Sequence, residues 1–239
     1  MAIFSFEKLD STNLYLKQNF EKYNNFDIIL AHAQTGGYGR FKREWIDLGK
    51  ENIFMSICLK FDKFTDNLLS ISQYAALILA ETFDKYSVTP IIKWPNDILV
   101  NSRKIAGILA ESVFENSKFI GIVLGLGINL HANKNDFSAI NQSATALDIE
   151  YGKKVDKLAF IEDYMNLFEA NYSNFINFGF SFYKHDYVSY LNSIDKVVTI
   201  TNNENTITGV VKGVSDNGML LLCIDNIIKE ISAGDISFI

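Results

Sequence analysis

The apolar residues of this chain fall mostly into short runs and two-residue alternations, a pattern typical of β-strands. Alternation from Ile53 to Leu59 predicts a strand over 52–61. Short apolar runs predict further strands over 28–33, 91–94, 98–100, 105–112 and 119–130. Polar turns at Asn101-Ser102-Arg103 and at 115–118 separate the last three of these strands. Strands joined by such turns predict a mixed, largely antiparallel sheet.

A helical period appears in three other segments. Apolar residues recur at spacings of three and four over 68–86, which predicts a long helix there. A second long helix is predicted over 157–175 and a short one over 183–191. The polar residues before Leu14 predict a helix N-cap. Helices flanking a largely antiparallel sheet indicate an α+β fold.

The pattern changes after Asn192, where β-rich runs become short and closely spaced. They cover 196–200, 206–214, 219–224 and 227–231, with polar turns at 202–205, 215–218 and 225–226. This spacing predicts a small barrel of about five strands. We therefore place a domain boundary near Asp195, between a domain of residues 1–194 and a small β domain of residues 195–239. A polar loop is predicted at 131–136.

Composition excludes several classes of protein. The net charge is −6 and the pI is near 5.1, without a basic stripe, so we expect no DNA binding. The two cysteines, Cys58 and Cys223, lie in separate apolar runs and form no metal-binding motif. The sequence contains no signal peptide pattern and no apolar run of membrane-spanning length, so we expect a cytoplasmic protein that is not membrane-bound.

A glycine-rich basic segment predicts an anion-binding loop. Residues 34–45 read Gln-Thr-Gly-Gly-Tyr-Gly-Arg-Phe-Lys-Arg-Glu-Trp. Three glycines let backbone N–H groups approach a ligand closely, and Arg40, Lys42 and Arg43 add positive charge. The spacing fits neither a Walker A loop nor a dinucleotide fingerprint. An ordinary flexible surface loop is the alternative interpretation.

Two further segments carry candidate chemistry. Asp97 stands where an apolar strand begins, and its carboxylate is suited to holding Mg²⁺ on a phosphate. A turn would return Lys104 towards the same end of the sheet, where an ammonium can neutralise a carboxylate or a transferring phosphoryl group. The alternative is a turn with a solvated lysine.

Glycines within a predicted strand form a third candidate. Gly125 and Gly127 weaken a strand unless something approaches the backbone closely, and Asn129 then offers an amide able to read an adenine edge. Tight packing of a helix on the sheet is the alternative explanation. The hydroxyls and amide of Ser11-Thr12-Asn13 could bind a small polar ring, cap the helix, or both.

Taken in order, these motifs resemble the biotin–protein ligase family. They are Asp-Ser-Thr-Asn at 10–13, the glycine-arginine loop ending in Trp45, Lys-Trp-Pro-Asn-Asp at 93–97, Lys-Ile-Ala-Gly-Ile-Leu at 104–109, and Gly-Leu-Gly-Ile-Asn at 125–129. The resemblance covers nearly the whole chain from Phe6. It implies a class II synthetase-like biotin/lipoate ligase fold followed by a small SH3-like β-barrel.

The resemblance also implies an activity. An enzyme of this family makes biotinyl-5′-AMP from biotin and ATP, with Mg²⁺, and transfers biotin to a lysine of the biotin carboxyl carrier protein of acetyl-CoA carboxylase. Arg40 and Lys104 would contact the reacting carboxylate and α-phosphate. The implied biotin-binding residues are Ser11, Thr12, Asn13, Gln34, Gly37, Tyr38, Gly39, Arg40, Lys104 and Gly107. The implied ATP-binding residues are Trp45, Lys93, Asn96, Asp97 and Asn129, with Asp97 holding Mg²⁺ through ATP.

The chain departs from the family pattern in its loop and at its beginning. Tyr38 stands where an arginine is common, and Lys42 where a glycine is common, so we expect altered adenylate retention with activity kept. Some members carry an N-terminal helix-turn-helix, whereas here the motifs begin at Asp10, so we expect no operator binding. The sequence leaves the oligomeric state open, with a homodimer as one alternative.

Two other functions remain open. A lipoate–protein ligase or octanoyltransferase shares the fold, although the Lys-Trp-Pro-Asn-Asp segment and the C-terminal β domain favour biotin. A non-catalytic ligand-binding module is the second alternative. The joint presence of Arg40, Asp97 and Lys104 argues against it.

Overall fold

The computed structural model describes residues 1–133, 136–137, 143–202 and 205–238. The chain forms two compact units. Unit 1 comprises Met1–Phe64 and Val100–Glu162, and unit 2 comprises Thr65–Leu99 and Asp163–Ile239. The loop predicted at 131–136 and the turn predicted at 202–205 lie partly outside the described residues.

Unit 1 is built on a sheet with one parallel and three antiparallel pairings. Its elements are β1 (Ile3–Phe6), α1 (Thr12–Gln18), β2 (Ile28–Ala31), β3 (Ile53–Lys60), β6 (Arg103–Glu115), β7 (Lys118–Ile128) and α3 (Leu147–Tyr151). The strands are neighbours in the order β1-β2-β3-β7-β6. Only β1 and β2 run parallel among these pairs, so the predicted mixed, largely antiparallel sheet is confirmed.

Helix α1 packs on one face of this sheet. Ser11 is its N-cap, in an extended conformation, and its hydroxyl accepts from the Leu14 N–H. The buried side chains of Leu16 and Phe20 then meet apolar residues of the strands, among them Cys58 and Val123. Burial of these side chains fixes the helix on the sheet.

Unit 2 contains most of the remaining helices and a second sheet. Its elements are α2 (Ile71–Asp84), β4 (Pro90–Lys93), β5 (Asp97–Val100, whose last residue belongs to unit 1), most of α4 (Lys157–Phe178), and α5 (Lys184–Ser189). Tyr74 of α2 stacks on Phe175 of α4 with ring centroids 4.5 Å apart. Its hydroxyl donates to the Phe168 carbonyl at 2.6 Å. The two long helices predicted from periodicity are therefore confirmed and packed together.

The second sheet confirms the predicted run of short C-terminal strands. It consists of β8 (Val197–Asn202), β9 (Asn205–Val214), β10 (Leu220–Ile224), β11 (Ile227–Ile231) and β12 (Asp235–Phe238). Their order is β11-β10-β9-β8-β12, and all four pairings are antiparallel. Asp225 and Asn226 turn the β10–β11 hairpin with positive φ angles, as tight hairpin turns require.

The sequence pattern missed several elements, among them β1, α3 and β12. Strand β1 is short and its first three residues are exposed, so it carries no strong periodicity. The segment Asp66–Ser70 forms a 3-10 helix before α2, so the first residues of the helix predicted over 68–86 are not α-helical. Among the helices of the described residues, none is long and apolar enough to cross a bilayer.

Candidate functional site

Glycines form the floor of the candidate site on the sheet of unit 1. Gly127 of β7 pairs directly with Gly107 of β6, and Gly125 lies two residues away on the same strand. A Cβ at Gly125 would lie 2.2 Å from Asn13 Oδ1, and one at Gly127 would lie 2.6 Å from Trp45 Cε2. Asn13 and Trp45 thus occupy the space that the Cβ of any other residue at these two positions would fill. A close approach occurs at both glycines: at Gly125 the approaching residue belongs to helix α1, which is the alternative explanation of helix packing, and at Gly127 it is the Trp45 ring.

The N-terminus of α1 forms one wall, held by a chain of polar contacts. The Thr12 N–H donates to Gln34 Oε1 at 2.7 Å. The Ser56 hydroxyl lies 2.8 Å from Thr12 Oγ1 and donates to Asn13 Oδ1 at 2.6 Å. These contacts bring Thr12, Asn13 and Gln34 together, as predicted, and fix their orientation.

The glycine loop folds back on itself. The Gly39 N–H donates to the Arg43 carbonyl at 2.8 Å, and the Trp45 N–H donates to the Gly37 carbonyl at 2.9 Å. Between them, the backbone turns at Arg40–Lys42, where Phe41 and Lys42 both have positive φ angles. Lys42 has a φ of 55°, in the left-handed region that favours glycine. Lysine here therefore holds a backbone conformation that a glycine would adopt with less strain.

Two predicted residues meet at the end of the loop. The Trp45 ring lies over Gly127, and Lys104 Nζ lies 5.2 Å from the centroid of that ring. The backbone of Lys104 is fixed by hydrogen bonds to Ser143 and Thr145, each of 2.9 Å. The indole N–H of Trp45 is buried and has no hydrogen-bond partner among the described residues. Lys104 thus lies, on a fixed backbone, beside a buried indole N–H that has no hydrogen-bond partner among the described residues.

Asn129 follows β7 and is buried. Its N–H donates to the Ile105 carbonyl at 2.8 Å. Its side-chain amide donates to the Thr145 carbonyl at 3.1 Å. Asn129 therefore anchors the segment that also holds Lys104.

Three predicted residues, Lys93, Asn96 and Asp97, belong to unit 2, whereas the other predicted site residues belong to unit 1. Lys93 ends β4, Asn96 is buried, and Asp97 begins β5. The turn between the strands is held by two hydrogen bonds. Trp94 Nε1 donates to the Gly218 carbonyl at 2.9 Å, and the Tyr187 hydroxyl donates to the Pro95 carbonyl at 3.1 Å.

Glu111 of β6 joins the wall to the loop, and the sequence analysis gave it no role. Lys17 Nζ donates to its Oε1 at 2.9 Å. The Asn13 amide and the Tyr38 hydroxyl donate to its Oε2 at 2.9 and 3.1 Å. A carboxylate directly after the apolar run 105–110 is the signal that could have identified it.

Sequence models of two protein families match this chain, and the longer match shows the family to which it belongs. A model of the biotin/lipoate A/B protein ligase family matches residues 5–129, just over half of the chain. The chain belongs to the biotin/lipoate A/B protein ligase family. A model of the biotin protein ligase C-terminal domain matches residues 193–239.

Individual members of the biotin/lipoate ligase family are similar over most of the chain. The bifunctional ligase/repressor BirA of Bacillus subtilis is 31% identical over 211 residues, which cover 87% of this chain and 65% of that protein. This chain thus spans just under two thirds of the length of that relative. The biotin–[acetyl-CoA-carboxylase] ligase of Paracoccus denitrificans is 26% identical over 221 residues, covering 90% of this chain and 91% of that protein.

A solved structure supports the same fold. The biotin protein ligase from Aquifex aeolicus in complex with biotin and ATP has a TM-score of 0.81 at 25% identity, covering 99% of this chain and 97% of that chain. The predicted α+β ligase fold is confirmed.

In this member of the biotin/lipoate ligase family, the hydrogen-bond partners of Glu111 set the pKa of its carboxyl group. Burial alone would raise the pKa of the Glu111 carboxyl, but the hydrogen bonds from Lys17 and Asn13 outweigh it and lower the pKa below its usual value of 4.5. Burial, with a further contribution from Glu111, raises the pKa of Tyr38 to about 12. Near neutral pH the carboxylate is therefore charged, and the phenol keeps the proton that it donates.

We expect Glu111→Gln to reduce the pH dependence of stability. Because the folded-state pKa is depressed, the contribution of Glu111 is fully present above pH 4.5, its usual pKa, and is lost as the pH falls through the lower folded-state value. Urea unfolding at a series of pH values between about 6 and 3 should show a smaller loss of unfolding free energy for Glu111→Gln than for wild type. Parallel pH curves for the two proteins would contradict this assignment.

Proposed function

We propose that this protein is a biotin–protein ligase that forms biotinyl-5′-AMP and transfers biotin to a lysine of a biotin carboxyl carrier protein. One observation carries the proposal. Segments far apart in the sequence, at residues 11–13, 34–45, 104–107 and 125–129, meet in unit 1 around a glycine floor with a fixed lysine. The C-terminal match to the biotin protein ligase domain favours biotin over lipoate.

The first half-reaction joins the biotin carboxylate to the α-phosphorus of ATP and releases pyrophosphate. Negative charge gathers on the α-phosphate oxygens in the transition state. We propose that Lys104 and Arg40 stabilise this charge more than they stabilise the ground state, which lowers the barrier. Because hydrogen bonds on both sides of its backbone hold Lys104, little reorganisation is required when the charge develops.

The biotin ring is proposed to bind at the start of α1. Ser11, Thr12, Asn13 and Gln34 carry hydroxyl and amide groups there, and Gly107 is proposed, from the resemblance, to let the strand approach the ligand. Asn13 is already bonded to Glu111 and Ser56, so it would shape the wall and accept few further contacts. The loop from Gly37 through Arg40 would cover the adenylate and shield the mixed anhydride from water.

The nucleotide is assigned by resemblance of motifs, with Trp45 and Asn129 contacting adenine and Lys93, Asn96 and Asp97 serving the phosphates. The carboxylate of Asp97 and the amide of Asn96 are hard oxygen donors, which suit Mg²⁺ bound mainly through the nucleotide. Mg²⁺ would supply neutralisation of charge on the triphosphate.

In the second half-reaction the ε-amine of the carrier lysine attacks the acyl carbon of the adenylate, an amide bond forms, and AMP leaves with the bonding electrons. We propose that this occurs in the cytoplasm with the carrier of acetyl-CoA carboxylase. We also propose that residues 195–239 are a separate domain after residues 1–194. The C-terminal family match, which begins at residue 193, supports this boundary.

A labelled transfer assay tests the proposal. The purified protein is incubated with labelled biotin, ATP, Mg²⁺ and a biotin carboxyl carrier domain, and the carrier is isolated. We expect label on the carrier, dependent on ATP and absent when its acceptor lysine is replaced. Transfer of lipoate in place of biotin to a lipoyl domain would favour the lipoate ligase alternative. Biotin binding without nucleotide consumption would favour a non-catalytic module.

A further inference from the structure

The loop residue Tyr38 makes a contact that the sequence did not predict. Tyr38 pairs with Glu44 across the base of the loop, so its backbone belongs to the folded-back segment 37–45. Its hydroxyl reaches out of that segment and donates to Glu111 Oε2 of β6 at 3.1 Å. A hydrogen bond to a charged acceptor is stronger than one between neutral groups. The loop is therefore attached to the sheet through this side chain.

Glu111 is suited to release the loop without being left as an uncompensated charge. Its Oε1 keeps the ion pair with Lys17, and its Oε2 keeps the hydrogen bond from Asn13, whether or not Tyr38 is in place. A buried carboxylate left without any partner would be costly, but this one loses a single donor among three. Breaking the Tyr38 contact therefore leaves Glu111 with two of its three donors.

We propose that Tyr38 and Glu111 form a latch that fastens the glycine loop over the site, and that opening this latch controls release of the acyl-adenylate. Tyr38 is a positioning residue in this scheme, acting through Glu111. The latch is inferred from the contacts of the loop alone. The identity of the retained molecule, the acyl-adenylate, rests on the proposed function. Two separate measurements therefore test the two parts.

Limited trypsin digestion tests the latch without any activity. The loop contains three tryptic sites, at Arg40, Lys42 and Arg43, and cleavage requires the segment to leave its folded-back conformation. We expect Tyr38→Phe to be cleaved within 40–43 roughly tenfold faster than wild type, as loss of a hydrogen bond to a charged group implies. Mass spectrometry of the fragments, with thermal unfolding to show that both proteins are equally folded, gives the rates.

A matched control and a double variant make the test specific. Tyr23→Phe removes a phenol that donates to the Tyr15 hydroxyl, also at 3.1 Å, within the same unit but away from the loop. Its loop cleavage should equal that of wild type. Adding Glu111→Gln to Tyr38→Phe should produce no further acceleration, because the shared contact is already lost. Cleavage of Tyr38→Phe at the wild-type rate would overturn the latch. So would a double variant whose loop-cleavage rate rises by the product of the increases seen in the two single variants.

The rate of adenylate release tests the second part. We expect biotinyl-5′-AMP formed from labelled biotin and ATP to leave Tyr38→Phe roughly tenfold faster than wild type, at an unchanged KM for ATP. Faster cleavage with an unchanged release rate would refute control of release by the latch. Failure of the wild-type protein to form any adenylate would refute the proposed function, and the digestion would still decide whether the latch exists.

Discussion

Lys104→Ala slows formation of biotinyl-5′-AMP by about a hundredfold or more, the usual cost of losing one fixed group that stabilises transition-state charge. The reason lies in the rigidity of the site. The main chain of Lys104 is bonded to Ser143 and Thr145, and its ammonium lies 5.2 Å from the centroid of the Trp45 ring. Pyrophosphate release in a single-turnover experiment with saturating biotin and ATP measures this step.

Lys60→Ala is the matched control for this experiment. Lys60 also lies over an aromatic ring in unit 1, with its Nζ 5.8 Å from the Phe20 centroid, but it pairs with Gly121, six residues along β7 from Gly127. Its removal should leave the rate unchanged. Arg40→Ala should slow the same step as Lys104→Ala. If both variants kept wild-type kinetics, the roles assigned to these two cations would be wrong.

Gly127→Ala lowers the free energy of unfolding by about 1–3 kcal/mol, the usual cost of overpacking. The added Cβ would lie 2.6 Å from Cε2 and 2.7 Å from Cζ2 of Trp45, so the ring must move. Because Lys104 lies over that ring, the displacement also disturbs the cation, and the KM values for biotin and ATP should rise. Urea unfolding and steady-state kinetics measure the two effects.

Gly36→Ala is the control for the glycine substitution. A Cβ at Gly36 would meet nothing closer than the Asp10 carbonyl oxygen at 3.5 Å, an ordinary van der Waals contact. We expect its stability to stay within about 0.5 kcal/mol of wild type. Equal stability of Gly127→Ala and wild type would show that the Trp45 ring is not confined by Gly127.

The sequence determined the local structure because local structure depends on neighbouring residues. The alternation from Ile53 to Leu59 identified β3, and the three- and four-residue spacing identified α2 and α4. Short polar turns marked the β6–β7 hairpin, where Asn116 and Ser117 have positive φ angles. β1 was not predicted, because four residues with little burial carry no period.

The order of the motifs identified the residues of the candidate site but not the way in which they are held. Glycines at 125 and 127 indicated a close approach, yet only the fold shows that Asn13 and Trp45 are the approaching groups. Glu111 was not assigned a role, because its partners lie 73 to 98 residues away in the chain.

The sequence by itself thus determined most of the strands, the two long helices and the residue types available for chemistry. Only the tertiary structure decided that Gly107 pairs with Gly127, that Lys104 lies beside Trp45, and that Tyr38 is fastened to Glu111. The physical reason is that periodicity reports whether a residue is buried, whereas its partner is set by strand register and by contacts between distant segments.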